Sequence, residues 1–185
     1  MTRIIGGVAR GRRIRVPPGD RTRPTSDRAR EGLFNTLASF VELRGARFAD
    51  LYAGSGAVGF EALSRGASHV LFVDQSPVVV RTLRGNAEAL GLTGTEILTR
   101  SVQRVVETTP GHYFDVVFLD PPYSLTNASL TEVLTGLVSR SWLRPEGVCV
   151  VERSYRSGPP SWPEGLITIR NRTYGEGALW YGSGS

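Results

Sequence analysis

From residue 47 onward the chain alternates short apolar runs with amphipathic stretches. Runs rich in valine, leucine and phenylalanine at 47–51, 69–73, 96–99, 114–119 and 148–152 read as strands. Between them, 58–65, 77–90, 101–108 and 129–138 carry apolar residues at helical spacing. Strands and helices alternate, so the pattern predicts a parallel sheet with helices on both faces. Segments 166–172 and 177–181 are short and read as a closing antiparallel pair, after a loop at Ser157-Gly158-Pro159-Pro160. The first part of the chain differs. Residues 3–16 place isoleucines and Val16 at strand spacing around Gly6-Gly7, which predicts a small hairpin. Pro17-Pro18-Gly19-Asp20 interrupts it, and Thr25 or Ser26 caps a helix running to about residue 41, with Ala29, Leu33, Phe34, Leu37 and Val41 as its stripe. The expected organisation is a hairpin extension over 1–20 and a main domain over 21–185.

Composition narrows the class. The chain has 185 residues, 40% hydrophobic and 21% charged, as in an ordinary globular domain. No apolar run approaches the roughly 18 residues needed to span a bilayer, and no apolar leader is visible, so the expected location is the cytoplasm. Cys149 stands alone in an apolar run and reads as core. With His69 and His112 it offers too few ligands for a metal cluster. Charge is uneven: the first thirty residues hold nine arginines against Asp20 and Asp27, a net of +7, whereas the whole chain carries +5, so the remainder is weakly acidic. All 22 basic residues are arginine. A basic excess at one end is the footprint of a phosphate-binding arm, and Arg12, Arg13, Arg15, Arg23 and Arg28 are the candidate contacts.

Two motifs carry chemistry. Asp50-Leu51-Tyr52-Ala53-Gly54-Ser55-Gly56-Ala57-Val58-Gly59 follows the first core strand and opens a helix, satisfying G-x-G-x-x-G in its strand-to-helix setting. Asp74 ends the next strand, twenty residues after Gly54, where a carboxylate can accept both hydroxyls of a ribose. These residues predict an adenosine-containing cofactor. The same glycines suit the pyrophosphate of NAD, but Asp50 is placed to meet a cationic ammonium group, which NAD lacks and S-adenosylmethionine has. A P-loop hydrolase is excluded by the absence of lysine. The second motif, Asp120-Pro121-Pro122-Tyr123, ends the strand at 114–119. A nucleobase amino group is a poor nucleophile because its lone pair is delocalised, so alignment must supply most of the catalysis. Asp120 and the Pro121 carbonyl can accept its two N–H bonds and stabilise developing positive charge. Tyr123 can stack on the base in a rigid, dry slot. Methylation of uracil carbon would need a cysteine nucleophile, and Cys149 lies in the wrong strand for it.

The chain resembles the RsmD family of bacterial 16S ribosomal RNA guanine-N(2) methyltransferases. The resemblance rests on Arg3-Ile4-Ile5-Gly6-Gly7 with Arg10-Gly11-Arg12, Arg23-Pro24-Thr25-Ser26-Asp27-Arg28 with Arg30-Glu31 and Leu33-Phe34-Asn35, Asp50 through Ala67, and Asp120 to Tyr123. It implies a Rossmann-like α/β fold of the class I S-adenosylmethionine-dependent methyltransferases, a mostly parallel seven-stranded sheet with helices on both faces and an N-terminal hairpin extension. It implies methyl transfer to the 2-amino group of the guanine at position 966 within the small ribosomal subunit, by a monomer without metal. Carried across, Asp50, Tyr52, Ala53, Gly54, Ser55 and Gly56 would line the cofactor's methionyl end. Asp74 and Gln75 would meet its ribose, Val102 or Gln103 its adenine, and Asp120, Pro121 and Tyr123 the guanine. Two other readings fit the motifs: a DNA adenine or cytosine amino methyltransferase, for which no target-recognition segment is evident, and a noncatalytic ribosome-assembly factor.

Overall fold

A computed structural model describes residues 1–18 and 25–184. Among the described residues a seven-stranded sheet has the order β5-β4-β3-β6-β7-β9-β8. The strands β3 (Arg47–Leu51), β4 (His69–Asp74), β5 (Thr95–Thr99), β6 (Phe114–Leu119) and β7 (Leu143–Ser154) run parallel to one another. The last two, β8 (Leu166–Tyr174) and β9 (Gly177–Gly184), form an antiparallel pair, and β9 joins β7 antiparallel. The chain leaves β3 in one direction for β4 and β5, then returns to build β6 and β7 on its other side. The carboxyl ends of β3 and β6 therefore flank the point where strand order reverses, the place where open α/β sheets bind ligands.

Side-chain alternation sorts the core into two layers. Phe48, Val70, Phe72, Val116, Phe118, Val148 and Val150 face one layer, which α1 (Asp27–Leu37), α2 (Ala57–Ser64) and α3 (Pro77–Leu90) cover. Ala49, Leu51, Leu71, Val73, Val117, Leu119, Cys149 and Val151 face the other, beneath α4 (Val102–Val106) and α5 (Asn127–Ser139). Cys149 is fully buried, and burial pushes its thiol pKa up.

Several elements end a few residues from their expected bounds, and three departures have an evident cause. Helix α1 stops at Leu37, because the chain tightens into turns in which Ser39 and Phe40 donate to the carbonyls of Thr36 and Leu37; Val41 stays buried nonetheless. Strand β7 starts at Leu143, before the expected 148, since Leu143 pairs with Phe114 ahead of a register shift. The hairpin has only two-residue strands, β1 (Thr2–Arg3) and β2 (Arg13–Ile14), extended by bonds between Ile4 and both Arg12 and Gly11.

Gly6-Gly7 therefore serves docking more than hairpin reversal. Gly7 has φ +77°, and a Cβ there would lie 1.8 Å from the Ser64 carbonyl oxygen of α2. Beside it, the amides of Ile5 and Gly6 donate to the Glu61 carboxylate at 2.8 and 2.7 Å. The Ala9 amide donates to Ser64 Oγ. Ile4, Ala9 and Ile14 join the apolar layer, so the hairpin shares its core with the sheet.

Candidate active site

A cavity of about 1240 Å³ opens along the carboxyl ends of the parallel strands. On one side Asp50, Tyr52, Ala53, Gly54, Ser55, Asp74, Gln75, Val102 and Gln103 line it; on the other stand Asp120, Pro121, Pro122 and Tyr123. Thus one concavity brings together both motifs, read seventy residues apart in the chain. Gly56 is not in the lining. It takes φ +78° at the start of α2, where a Cβ would lie 2.6 Å from atoms of Leu83 and Phe60. Its part is to turn the backbone and let the helix pack closely.

Each carboxylate on the cofactor side is held differently. Asp74 accepts from the Gly54 amide at 3.2 Å and, with its other oxygen, from the Ser76 amide at 2.9 Å. That pins the glycine loop to the end of β4 and fixes the carboxylate against the cavity. Asp50 is 2% exposed and accepts from the Gly59 amide at 2.9 Å. Burial pushes its pKa up to about 8, against the Gly59 hydrogen bond, with the charge of Asp74 adding to the rise. Such a carboxyl is a strong receptor for a cation, since pairing would relieve the cost of its ionisation. Tyr52 lies between them with φ +63°, a strained conformation for a side-chain-bearing residue. Its hydroxyl is buried without a hydrogen-bond partner among the described residues, and burial raises its pKa to about 12. Val102 is buried against the adjoining strands, and Gln103 follows it at the cavity wall. These residues suit S-adenosylmethionine: an acid for its ammonium, a second for its ribose diol, and a helix start at Gly56 without a side-chain cap.

At the other end, the Asp120 amide donates to the Leu51 carbonyl at 3.4 Å, which ties the motif to β3. The Leu125 amide donates to the Pro122 carbonyl and closes the turn that leads to α5. Pro121 is half-buried, but Tyr123 is 79% exposed at the rim. The slot is therefore open on the tyrosine side, unlike the dry enclosure expected. Sequence reading missed Glu152. It ends the apolar run of β7 as Asp74 and Asp120 end theirs, which was the available signal. Thr25 Oγ1 donates to its Oε2 at 2.5 Å, and burial raises its pKa.

The candidate phosphate contacts separate. Arg28 lines the cavity, and Arg13 and Arg15 are exposed on the hairpin strand and just after it. The Arg12 guanidinium donates to the carbonyls of Leu90, at 2.8 Å, and Ala89, so it caps the end of α3. Arg23 lies outside the described residues. Arg30, one of the nine arginines in the first thirty residues, is fully buried and donates to the Arg3 carbonyl and to Asp27. Among the described residues no group of three or more histidine, cysteine, aspartate or glutamate side chains is placed to hold a metal, and no helix is long and apolar enough to cross a membrane.

Sheet order, glycine loop and paired rim acids define a Rossmann-like, S-adenosylmethionine-dependent methyltransferase. The family described as Conserved hypothetical protein 95 matches residues 2–183. The chain is 34% identical to the ribosomal RNA small subunit methyltransferase D of Haemophilus influenzae, over 94% of this chain and 89% of that one. It is likewise 34% identical to the protein of the same name from Escherichia coli K12, over 94% and 85%. The solved structure of yhhF from Escherichia coli superposes with a TM-score of 0.86 at 32% identity, covering 98% of this chain and 97% of that one. The chain belongs to the RsmD family of ribosomal RNA small subunit methyltransferases.

Proposed function

We propose that this protein transfers a methyl group from S-adenosylmethionine to the 2-amino group of a guanine of 16S ribosomal RNA, the one at position 966, within the assembled small subunit in the cytoplasm. The observation that carries the reading is the single cavity that joins a buried, cation-seeking Asp50 to the Asp120 motif across the β3–β6 switch point.

When bound, the cofactor supplies an electrophilic methyl on a sulfonium. Asp50 would hold its ammonium and Asp74 its ribose, with the loop from Tyr52 to Ser55 along the methionyl part. Asp120 and the Pro121 carbonyl would accept the two N–H bonds of the guanine amino group, turning its lone pair towards the methyl. The amino nitrogen would bond to the methyl carbon as that carbon's bond to sulfur breaks, the electron pair staying on the departing thioether. The positive charge that develops on nitrogen would lie beside a fixed carboxylate, which lowers the barrier. The surplus N–H proton would then be lost, with no covalent enzyme intermediate. Tyr123, free to move at the rim, would fold over the base once it has left its stack. Arg13, Arg15, Arg28 and Arg23 would hold the surrounding phosphates, with the hairpin as their platform and a monomer as the working unit.

The test is incubation with labelled cofactor and small subunits from a strain lacking the gene, followed by nucleoside mass spectrometry. Label is expected in N(2)-methylguanosine. Asp120→Ala should lower transfer roughly 10²–10³-fold, the effect of removing one preorganised electrostatic group, while cofactor affinity stays within a few-fold. Label in methyladenosine, or none in RNA, overturns the reading.

A further inference from the structure

We infer that Glu152 is a specificity determinant that accepts the N1–H of the target guanine beside Asp120; this rests on the function proposed above. The placement follows from the sheet. Leu119 of β6 pairs in parallel with Val151 of β7, so the next residues, Asp120 and Glu152, leave the two strands side by side. Side-chain alternation sends both to the same face as Phe118 and Val150, and both line the cavity. On the other flank Leu51 pairs with Leu119 and with Val73, so Tyr52 and Asp74 continue the row towards the cofactor side. The ledge thus runs from ribose receptor to base slot, and Glu152 occupies its far end.

The carboxyl is aimed, not loose. Thr25, directly before the helix α1 cap, donates to Oε2. That fixes one oxygen as an acceptor and leaves Oε1 on the side of Gly177, where even an added Cβ would stand 3.9 Å away. Glycine at 177 therefore keeps the cavity wall beside this oxygen low. Glu152 is not part of any ion pair found among the described residues, so none of those explains an acid placed here.

Base chemistry supplies the rest. The guanine edge presents two adjacent donors, the 2-amino group and N1–H. Adenine and cytosine each place an acceptor next to their amino group. A slot that holds the amino group on Asp120 and offers a second acceptor to the neighbouring ring position selects guanine and repels the other two. Asp120 alone makes no such distinction.

The test uses small subunits reconstituted with ligated 16S RNA carrying guanine or 2-aminopurine at the methylated position. 2-Aminopurine keeps the reacting amino group but has an unprotonated N1. The wild-type protein should prefer guanine by roughly 10- to 100-fold in kcat/KM, the effect of a lost hydrogen bond to a charged group. Glu152→Gln should collapse that preference, because its amide can donate to the bare N1, while cofactor affinity and melting temperature hold. Thr25→Val should narrow it less, by loosening the carboxylate, and provides the readout should Glu152→Gln misfold. Equal use of both bases by the wild type, or an unchanged ratio in the variants, overturns the inference. Failure of the wild type to methylate either RNA would instead overturn the function on which it rests.

Discussion

Two buried acids on the same layer of this protein, Glu61 and Asp50, have opposite fates. Glu61, on α2, is fully buried and accepts from the Ile5 and Gly6 amides and from Arg65 Nε at 2.8 Å, with the Arg30 guanidinium paired in charge at 3.7 Å. It binds the hairpin to α2. Asp50, on β3, is nearly as buried, yet its pKa has moved up to about 8. The difference teaches how to separate structure from function among buried charges. A carboxylate whose neighbours are all supplied by its own chain holds a fold together, whereas the one that the fold leaves costly to ionise is the group proposed above to meet the cofactor's ammonium.

The comparison can be broken most forcefully at Glu61. Glu61→Ala removes the buried charge facing Arg30 and Arg65 and frees two hairpin amides, so a loss of about 3–5 kcal/mol of stability is expected in denaturant melts. Cofactor affinity of the folded fraction, measured by calorimetry at low temperature, should change little. Parallel loss of both would mean that the two acids form one system.

Asp50→Asn should do the reverse. Cofactor affinity is expected to fall roughly 10- to 100-fold as the charge is lost, while stability near pH 8 rises by on the order of 1 kcal/mol. The sign follows from linkage. A carboxyl whose folded pKa lies above its unfolded value gives stability that is complete below about pH 4 and is lost as pH rises through about 8. The asparagine variant should lose that pH dependence. For the wild type, cofactor binding at pH 7 should release protons, detectable as a calorimetric heat that changes with the buffer's ionisation enthalpy. Binding without proton release would place the cation elsewhere.

The exposed arginines of the hairpin, with Arg28 at the start of α1, give the smallest effect per residue and sharpen the contrast between anchoring and binding groups. Replacing Arg13, Arg15 and Arg28 together by alanine should leave melting and cofactor binding near wild type. It should reduce the slope of log affinity against log salt, for small-subunit binding, by about 2 to 3. Arg12→Ala should instead lower the melting temperature, because its guanidinium caps α3. An Arg12 effect seen only in RNA binding would return it to the phosphate-contacting set.

Much of this was legible in the chain. Four of the five parallel strands, β3, β4, β6 and β7, announce themselves because strands covered on both faces need largely apolar runs, whereas the edge strand β5 is half-exposed. The glycine loop is legible because close backbone turns tolerate few other residues. Asp74 and Asp120 were readable as charged residues ending such runs. Glu152 carries the same signature, but its meaning depends on which strand lies beside β6, and pairing between distant segments leaves no local mark.

Local pattern by itself therefore determined the elements, their alternation and the chemistry of the two motifs, since period, turn residues and charge act over a few positions. Tertiary structure alone decided that Arg12 and Arg30 anchor the fold while Arg13 and Arg15 stay exposed, that Gly6-Gly7 meets α2, and that Asp50, Asp120 and Glu152 line one cavity. Those outcomes arise from contacts between segments far apart in the chain, where burial and neighbouring charge, set only by packing, give each group its role.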